Sequence, residues 1–147
     1  MTLDKILITG GAGYVGSLLV PALLADGHSV TVYDTLWYGK DFLPTEDPRL
    51  TVVQGDIRDT SLFRETVADH DIVINLACIS NDASFELDED LSTSVNLHAF
   101  QPMVAAAKES GVRRFIHASS SSVYGVSDSC ALVSREAESG SEGCWHL

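Results

Sequence analysis

Positive charge is scarce in this sequence of 147 residues. Nine Lys and Arg residues stand against 21 Asp and Glu residues, which gives a formal net charge of −12. The basic residues are scattered, whereas phosphate contacts to DNA or RNA need clustered Lys and Arg. We therefore expect no nucleic-acid partner. Any phosphate group that binds here must be held mainly by backbone N–H groups and helix dipoles.

Long apolar runs are also absent. No stretch approaches the roughly 18 residues that a membrane-spanning helix needs. The first apolar run, Ile6–Ile8, ends at once in glycines and is not followed by the cleavage site of a signal peptide. We therefore expect a cytoplasmic protein with no membrane association.

Cysteine is rare and widely spaced, because the sequence has three residues of this type, Cys78, Cys130 and Cys144. An odd number at such spacing fits neither a disulfide framework nor a zinc site of the CxxC type. The five histidines are equally dispersed, and no two have the spacing of metal ligands on a helix. We expect reduced thiols and no metal site.

What the sequence does contain is a regular alternation of short apolar runs and amphipathic stretches. The runs are rich in β-branched residues and often apolar on both faces, which is typical of buried parallel strands. Strands are predicted at Lys5–Thr9, Ser29–Tyr33, Leu50–Gln54, Asp71–Leu76 and Arg114–Ala118. Helices are predicted at Tyr14–Asp26, Thr60–Ala68 and Asp88–Ser110. This alternation predicts an α/β fold, a doubly wound (Rossmann-like) parallel sheet of about five strands in the order 3-2-1-4-5.

Two features of the predicted helices can be tested. The first helix repeats apolar residues at Val15, Leu18, Leu19, Ala22 and Leu23, which indicates an apolar face toward the sheet. Pro21 and Pro102 fall inside two of the helices, and each should kink its helix or force a local adjustment.

A glycine-rich turn, TGGAGYVG at Thr9–Gly16, joins the first predicted strand to the first helix. Gly10 permits a tight turn, Gly13 lets the backbone approach a pyrophosphate, and Gly16 lets the helix pack close to the strand. Asp34 ends the second strand, where a carboxylate can accept hydrogen bonds from ribose hydroxyls and repel a 2′-phosphate. The glycine turn and Asp34 together favour NAD over NADP. The alternative interpretation is that Asp34 is an ordinary solvated carboxylate at the end of a strand.

Four motifs follow one another in the sequence: TGGAGYVG, GDIRD at Gly55–Asp59, NLA at Asn75–Ala77 and SSSSVYG at Ser119–Gly125. In this order they resemble the extended short-chain dehydrogenase/reductase family, in particular its NAD-dependent epimerase/dehydratase branch, which acts on sugar nucleotides. The resemblance covers about residues 1–125. It implies NAD as the cofactor and a nucleotide-sugar as the substrate.

The resemblance also implies the residues of a site. Asp56 and Ile57 would flank the adenine, and Ser120 would be the catalytic hydroxyl that positions the sugar hydroxyl. Tyr124 matches a family tyrosine that mostly packs. The full set of implied cofactor-binding residues is Gly10, Gly13, Tyr14, Val15, Gly16, Asp34, Asp56, Ile57, Leu76, Ala77, Ser80 and Asn96. The alternatives are turn and core residues, a serine run that satisfies the backbone, and an exposed helical asparagine.

The Tyr-x-x-x-Lys pair that the family mechanism needs is missing. The residues four positions after the four tyrosines are Leu18, Trp37, Phe42 and Asp128, and none is lysine. In that mechanism the lysine lowers the pKa of the tyrosine, which then removes the hydroxyl proton. We therefore expect the chain alone to be inactive.

Residues 126–147 lose the periodic pattern and are predicted to form a flexible tail, with the family's C-terminal substrate domain absent. Three hypotheses stay open at this point. The chain is the NAD-binding portion of a sugar-nucleotide epimerase or dehydratase, or it is a catalytically silent dinucleotide-binding fragment, a pseudoenzyme or an NAD-sensing module that binds a partner. In each case we expect self-association through the exposed edge of the fifth strand.

Overall fold

Five parallel strands form one sheet in the computed structural model, which describes residues 3–80 and 88–119. The strands are β1 (Lys5–Thr9), β2 (Ser29–Asp34), β3 (Leu50–Gln54), β4 (Ile72–Asn75) and β5 (Arg114–His117). Their order is β3-β2-β1-β4-β5, which confirms the predicted doubly wound sheet. The chain reverses direction across the sheet between β1 and β4, so their carboxyl ends form the switch point where such folds bind ligands.

The helices connect these strands. They are α1 (Gly16–Ala25), α2 (Thr60–Val67), α3 (Glu89–Thr93) and α4 (Phe100–Glu109), with a π-helical segment (Ser94–His98) between the last two. Asp59 caps α2, as its carboxylate accepts hydrogen bonds from the N–H groups of Ser61 and Leu62.

The predicted helix over residues 88–110 is therefore interrupted. The Ala99 N–H donates to the carbonyl of Ser94, which is a π-type bond, and α4 starts at the next residue. Pro102 has no N–H with which to bond the carbonyl of His98, so the adjustment expected at this proline lies directly upstream of it. By contrast, α1 continues through Pro21.

The buried face of α1 differs from the predicted one. Gly16, Val20 and Leu24 are buried, whereas Leu18 is 72% exposed and Val15 is 56% exposed. The predicted residues Leu19 and Leu23 do pack against the core, so the prediction was wrong only in part. Because α1 is apolar at nearly every position, periodicity alone could not define the buried face. Gly16, which starts the helix, determines the buried face, because the side of the helix without a Cβ packs closely on Gly11.

Each face of the sheet carries an apolar cluster. The cluster on the first face, which we call the closed face, combines strand residues with α2 and α4: Leu7, Tyr33, Ile57, Phe63, Val67, Val73, Ala99, Met103, Ala106, Ala107 and Val112. The cluster on the second face, which we call the α1 face, comprises Ile6, Ile8, Ala12, Val20, Leu24, Val30, Val32 and Leu43. Consecutive strand residues alternate between the two faces, as the pleat requires.

Candidate dinucleotide-binding site

The glycine turn lies against the loop that follows β4. Gly10 has a φ of +70°, and a Cβ at this position would lie 2.7 Å from the backbone N and Cα of Ala77. The Gly10 N–H donates to the carbonyl of Tyr33 at 2.9 Å. Gly10 therefore serves both a left-handed turn and a close approach of two loops.

The start of α1 packs tightly on the same turn. A Cβ on Gly16 would lie 2.0 Å from the carbonyl oxygen of Gly11, whereas a Cβ on Gly13 would contact the Gly10 oxygen alone, at 3.2 Å. Val15 occupies the N-cap position, and no side chain caps the helix there. The N–H groups of Ser17 and Leu18 donate to backbone carbonyls, whereas the Gly16 N–H has no acceptor among the described residues.

Asp34 braces the glycine turn from the end of β2. One carboxylate oxygen accepts a hydrogen bond from the Ala12 N–H at 3.0 Å, and the other accepts one from the Leu36 N–H at 2.8 Å. Each ionised carboxylate oxygen has a second acceptor position. Asp34 can therefore hold the turn and still accept a hydrogen bond from a ligand hydroxyl.

The GDIRD motif forms the turn between β3 and α2. Asp56 accepts hydrogen bonds from the backbone N–H, Nε and Nη2 of Arg58, and these bonds hold the pKa of Asp56 below its ordinary value against the opposing effect of burial. The Ile57 side chain is 6% exposed and lies in the closed-face cluster. Any contact between Ile57 and a ligand would therefore come from its backbone.

Asn96 fixes the loop after β4. Its Oδ1 accepts from the Ile79 N–H at 2.8 Å and its Nδ2 donates to the Ile79 carbonyl at 2.9 Å. The predicted cofactor residues Leu76 and Ala77 are half-buried in the same loop, and Ser80 is exposed at its end. The structure brings these predicted residues together, but it gives Asn96 a positioning role that sequence reasoning missed. The available signal was an asparagine inside a helix, where its side chain competes with backbone bonds.

A row of polar side chains crosses three strand ends, and the sequence reasoning did not find it. The Thr9 hydroxyl donates to Asn75 Oδ1, and Asn75 Nδ2 lies 3.1 Å from His117 Nδ1. Thr9 and Asn75 are buried, and burial lowers the pKa of His117. Because the Asn75 amide group donates, Nδ1 of His117 accepts and must be unprotonated. The row joins the start of the glycine turn to the end of β5.

Other predictions fall partly outside the described residues. Ser120, the predicted catalytic residue, lies outside them, as do Tyr124 and the predicted tail over residues 126–147. In the described ranges 3–80 and 88–119, no three His, Cys, Asp or Glu side chains gather closely enough to hold a metal ion. No helix in that part of the chain is long and apolar enough to cross a membrane.

A glycine turn that joins β1 to α1, an acid at the end of β2 and a 3-2-1-4-5 parallel sheet define the class of Rossmann-like domains that bind nucleotide cofactors. The sequence profile of the NAD dependent epimerase/dehydratase family matches residues 6–142. The chain therefore belongs to the NAD-dependent epimerase/dehydratase family, which confirms the resemblance noted in the sequence.

Individual relatives have different substrates in their names. The chain is 34% identical over 135 residues to a dTDP-glucose 4,6-dehydratase of an Actinoplanes species. It is 36% identical over 125 residues to a 3 beta-hydroxysteroid dehydrogenase/Delta 5-->4-isomerase of Mycobacterium tuberculosis. Among solved structures, it resembles DesIV, a dTDP-glucose 4,6-dehydratase from Streptomyces venezuelae with NAD and TYD bound, with 33% identity and a TM-score of 0.79.

The matches to these three proteins cover most of this chain and less than half of each of the three. They include 84% of the chain and 42% of the Actinoplanes protein, and 82% of the chain and 33% of the Mycobacterium protein. The DesIV match includes 87% of the chain and 43% of the solved protein. The shared part is the N-terminal portion of these proteins.

Proposed function

We propose that the chain binds NAD at the carboxyl edge of the sheet, as the NAD-binding portion of an enzyme that oxidises and reduces a sugar-nucleotide hydroxyl. The observation that carries this proposal is the start of α1. The Gly16 N–H at this helix start has no acceptor among the described residues, and it lies in a glycine turn that is packed too closely for any side chain at Gly10 or Gly16. Such a helix start attracts the pyrophosphate of a dinucleotide.

The surroundings of the turn favour NAD over NADP. Asp34 holds the turn through the Ala12 N–H and keeps acceptor capacity for the ribose hydroxyls. The Asp34 carboxylate would repel the 2′-phosphate of NADP, and the formal net charge of −12 adds to this repulsion. Asp56 and Ile57, at the end of the neighbouring β3, would then flank the adenine.

The second half of the proposal concerns catalysis. Ser120 would orient the hydroxyl of a bound sugar, while the bound NAD would supply hydride acceptance. The lysines of this sequence are Lys5, Lys40 and Lys108, and none follows a tyrosine by four positions. We therefore propose that these 147 residues bind NAD without turning a substrate over.

Calorimetric titration of the chain with NAD and with NADP tests the binding proposal. We expect the unmodified chain to bind NAD more tightly than NADP. Asp34→Ser should weaken the binding of NAD and reduce the preference for NAD over NADP. Asp26→Ser, at the far end of α1, is the matched control and should change neither. Absence of NAD binding, or equal binding of both cofactors to the unmodified chain, would contradict the proposal.

The substrate class is tested on the NAD-loaded chain. UDP-, GDP- and dTDP-sugars are added in turn, followed by a 3β-hydroxysteroid. The steroid is included because the Mycobacterium relative is named as a hydroxysteroid dehydrogenase. Binding of a nucleotide-sugar without absorbance of reduced nicotinamide supports a silent cofactor-binding portion. Turnover would show that another group replaces the missing pair, and binding of the steroid alone would reassign the substrate class.

We further propose self-association through the edge of β5. Among the described residues β5 pairs with β4 alone, and Ile116 is 43% exposed on it. An unpaired apolar edge is a template for strand pairing with a second chain. Sedimentation should show a dimer or larger species that Ile116→Lys reduces, whereas a monomer at all concentrations would contradict the proposal.

A further inference from the structure

Tyr33 connects the core of the sheet to the turn after β3. Its side chain is fully buried, and its hydroxyl donates a hydrogen bond to the carbonyl of Asp56 at 2.8 Å. Burial, followed by the charges of Asp59 and Asp56, raises the pKa of Tyr33 to about 12. The hydroxyl therefore remains a donor throughout the pH range in which a dinucleotide binds.

The same turn is shaped around the tyrosine ring. A Cβ on Gly55 would lie 2.5 Å from Cζ of Tyr33, so no side chain fits between the turn and the ring. Phe63 of α2 packs edge-on against Tyr33, with ring centroids 5.7 Å apart. The ring therefore contacts both the turn and the helix, and its hydroxyl donates to the Asp56 carbonyl.

From this arrangement we propose that Tyr33 is a positioning residue that holds the Asp56 turn in place for recognition of the adenine base. The inference rests on the proposed NAD site and adds a determinant of base selectivity that lies beneath it. Tyr33 acts through the backbone of Asp56, and the fully buried side chain does not need to contact the ligand.

The chemistry of the turn favours adenine over hypoxanthine. Three N–H groups of Arg58 donate to Asp56: the backbone N–H to Oδ1, Nη2 to Oδ2, and Nε to both oxygens but closer to Oδ1. An ionised carboxylate has about four acceptor positions, so one position on Oδ2 can accept a further donor. The adenine amino group is such a donor. Hypoxanthine presents a carbonyl oxygen at the same place, and two acceptors facing each other repel. A displacement of Asp56 would reduce this preference.

The experiment compares the affinities of the full chain for NAD and for nicotinamide hypoxanthine dinucleotide. Tyr33→Phe removes one hydroxyl and keeps the ring. We expect the ratio of the two affinities, which favours NAD in the unmodified chain, to fall about fivefold, the size of one net hydrogen bond. Affinity for the hypoxanthine analogue should change little.

Two controls separate positioning from stability. Phe63→Leu removes the edge-on ring and should lower the midpoint of urea unfolding without changing the selectivity ratio. Tyr38→Phe removes the hydroxyl of a tyrosine that is 86% exposed and should change neither quantity. Gly55→Ala places a Cβ against the Tyr33 ring and so displaces the turn, and it should reproduce the loss of selectivity. This variant decides the question if Tyr33→Phe does not fold.

The outcomes are distinct. A loss of selectivity in Tyr33→Phe, or in Gly55→Ala if Tyr33→Phe does not fold, supports the inference when Phe63→Leu retains selectivity. An unchanged ratio, or an equal loss of affinity for both dinucleotides, overturns it while the NAD site stands. Failure of the unmodified chain to bind NAD overturns the proposed function, and this inference with it, before any variant is measured.

Discussion

The two faces of the sheet are covered to different extents. On the closed face, α2 and α4 bury strand residues such as Leu7 and Val73 completely. On the α1 face, the described helix α1 covers Val30 and Val32 of β2, but Ile74 is only partly buried and Ile116 is 43% exposed. The helices therefore cover the closed face of the sheet more completely than the α1 face.

This difference separates the two parts of the proposed function. The central strands β1, β2 and β4 each contribute fully buried residues to the core, whereas the edge strands β3 and β5 contribute none. Among the described strands, the exposed large apolar residue is Ile116 of β5. We propose that the cofactor half of the site, on β1 and β2, is well packed within the described residues, whereas the catalytic half beyond β5 needs further contacts.

The largest expected effect tests the closed face. Phe63 is fully buried and packs edge-on against Tyr33. Phe63→Ala should lower the free energy of unfolding by about 3–5 kcal/mol, because it removes a ring from a packed core and leaves a cavity. Urea unfolding followed by circular dichroism measures the change.

The counterpart on the α1 face is Ile116→Ala. Since Ile116 is 43% exposed, we expect it to cost no more than about 1 kcal/mol. Equal costs for the two substitutions would show that β5 is covered in solution, and the contrast between the faces would then be wrong.

Much of the fold could be predicted because the necessary information is local. Short runs of β-branched residues alternating with helical segments predict the sheet order, and the glycine spacing predicts the turn. The buried face of α1 could not be predicted, since it depends on the contact between Gly16 and Gly11 within the folded turn. Helix α1 offered apolar residues on every side.

The missed parts of the site share a different property. The Thr9–Asn75 bond joins residues 66 positions apart, and the Asn75–His117 bond joins residues 42 apart. The contact between Tyr33 and Asp56 spans 23 positions. Such bonds are set by strand register and loop packing, which no short motif encodes.

A second prediction concerns the attachment of α1 to its face. Gly16→Ala places a Cβ 2.0 Å from the Gly11 carbonyl oxygen, so either the helix or the turn must move. We expect a loss of about 1–3 kcal/mol of stability, as for other overpacked sites, and loss of NAD binding. Thermal unfolding and calorimetry measure the two effects.

The matched variant is Gly13→Ala, whose Cβ would lie 3.2 Å from the Gly10 oxygen and otherwise in open space. We expect it to weaken NAD binding with a smaller cost in stability, because its Cβ would point into the space proposed for the pyrophosphate. A larger loss of stability in Gly13→Ala than in Gly16→Ala would contradict the packing described for α1.

A third prediction concerns how the helices of the closed face are joined to the loop after β4. Asn96→Leu removes both hydrogen bonds to Ile79 and should cost about 1–2 kcal/mol. Faster hydrogen exchange of the Ile79 amide would locate the effect. Leu97→Ala, in the same π segment at a position 65% exposed, is the control and should leave that amide unchanged.

The smallest expected effect lies at the end of β5, where His117 contacts Phe100 of the closed face, with ring centroids 4.7 Å apart. Burial lowers the pKa of His117 below its ordinary value of 6.5. The unfolded chain then takes up the proton at a higher pH than the folded chain. Stability should therefore fall as pH drops below about 6.5, until the lowered pKa is passed.

The hydrogen bond to Asn75 also favours the neutral imidazole of His117, because a proton on Nδ1 would place an N–H against the amide N–H of Asn75. His117→Gln removes the titrating group, so urea unfolding at about pH 7 and about pH 5 should show a shallower loss of stability in this variant. His98→Gln, at an exposed position of the π segment, should keep the original pH dependence. Identical pH dependence in His117→Gln and the unmodified chain would mean that the row from Thr9 to His117 does not depend on a neutral imidazole.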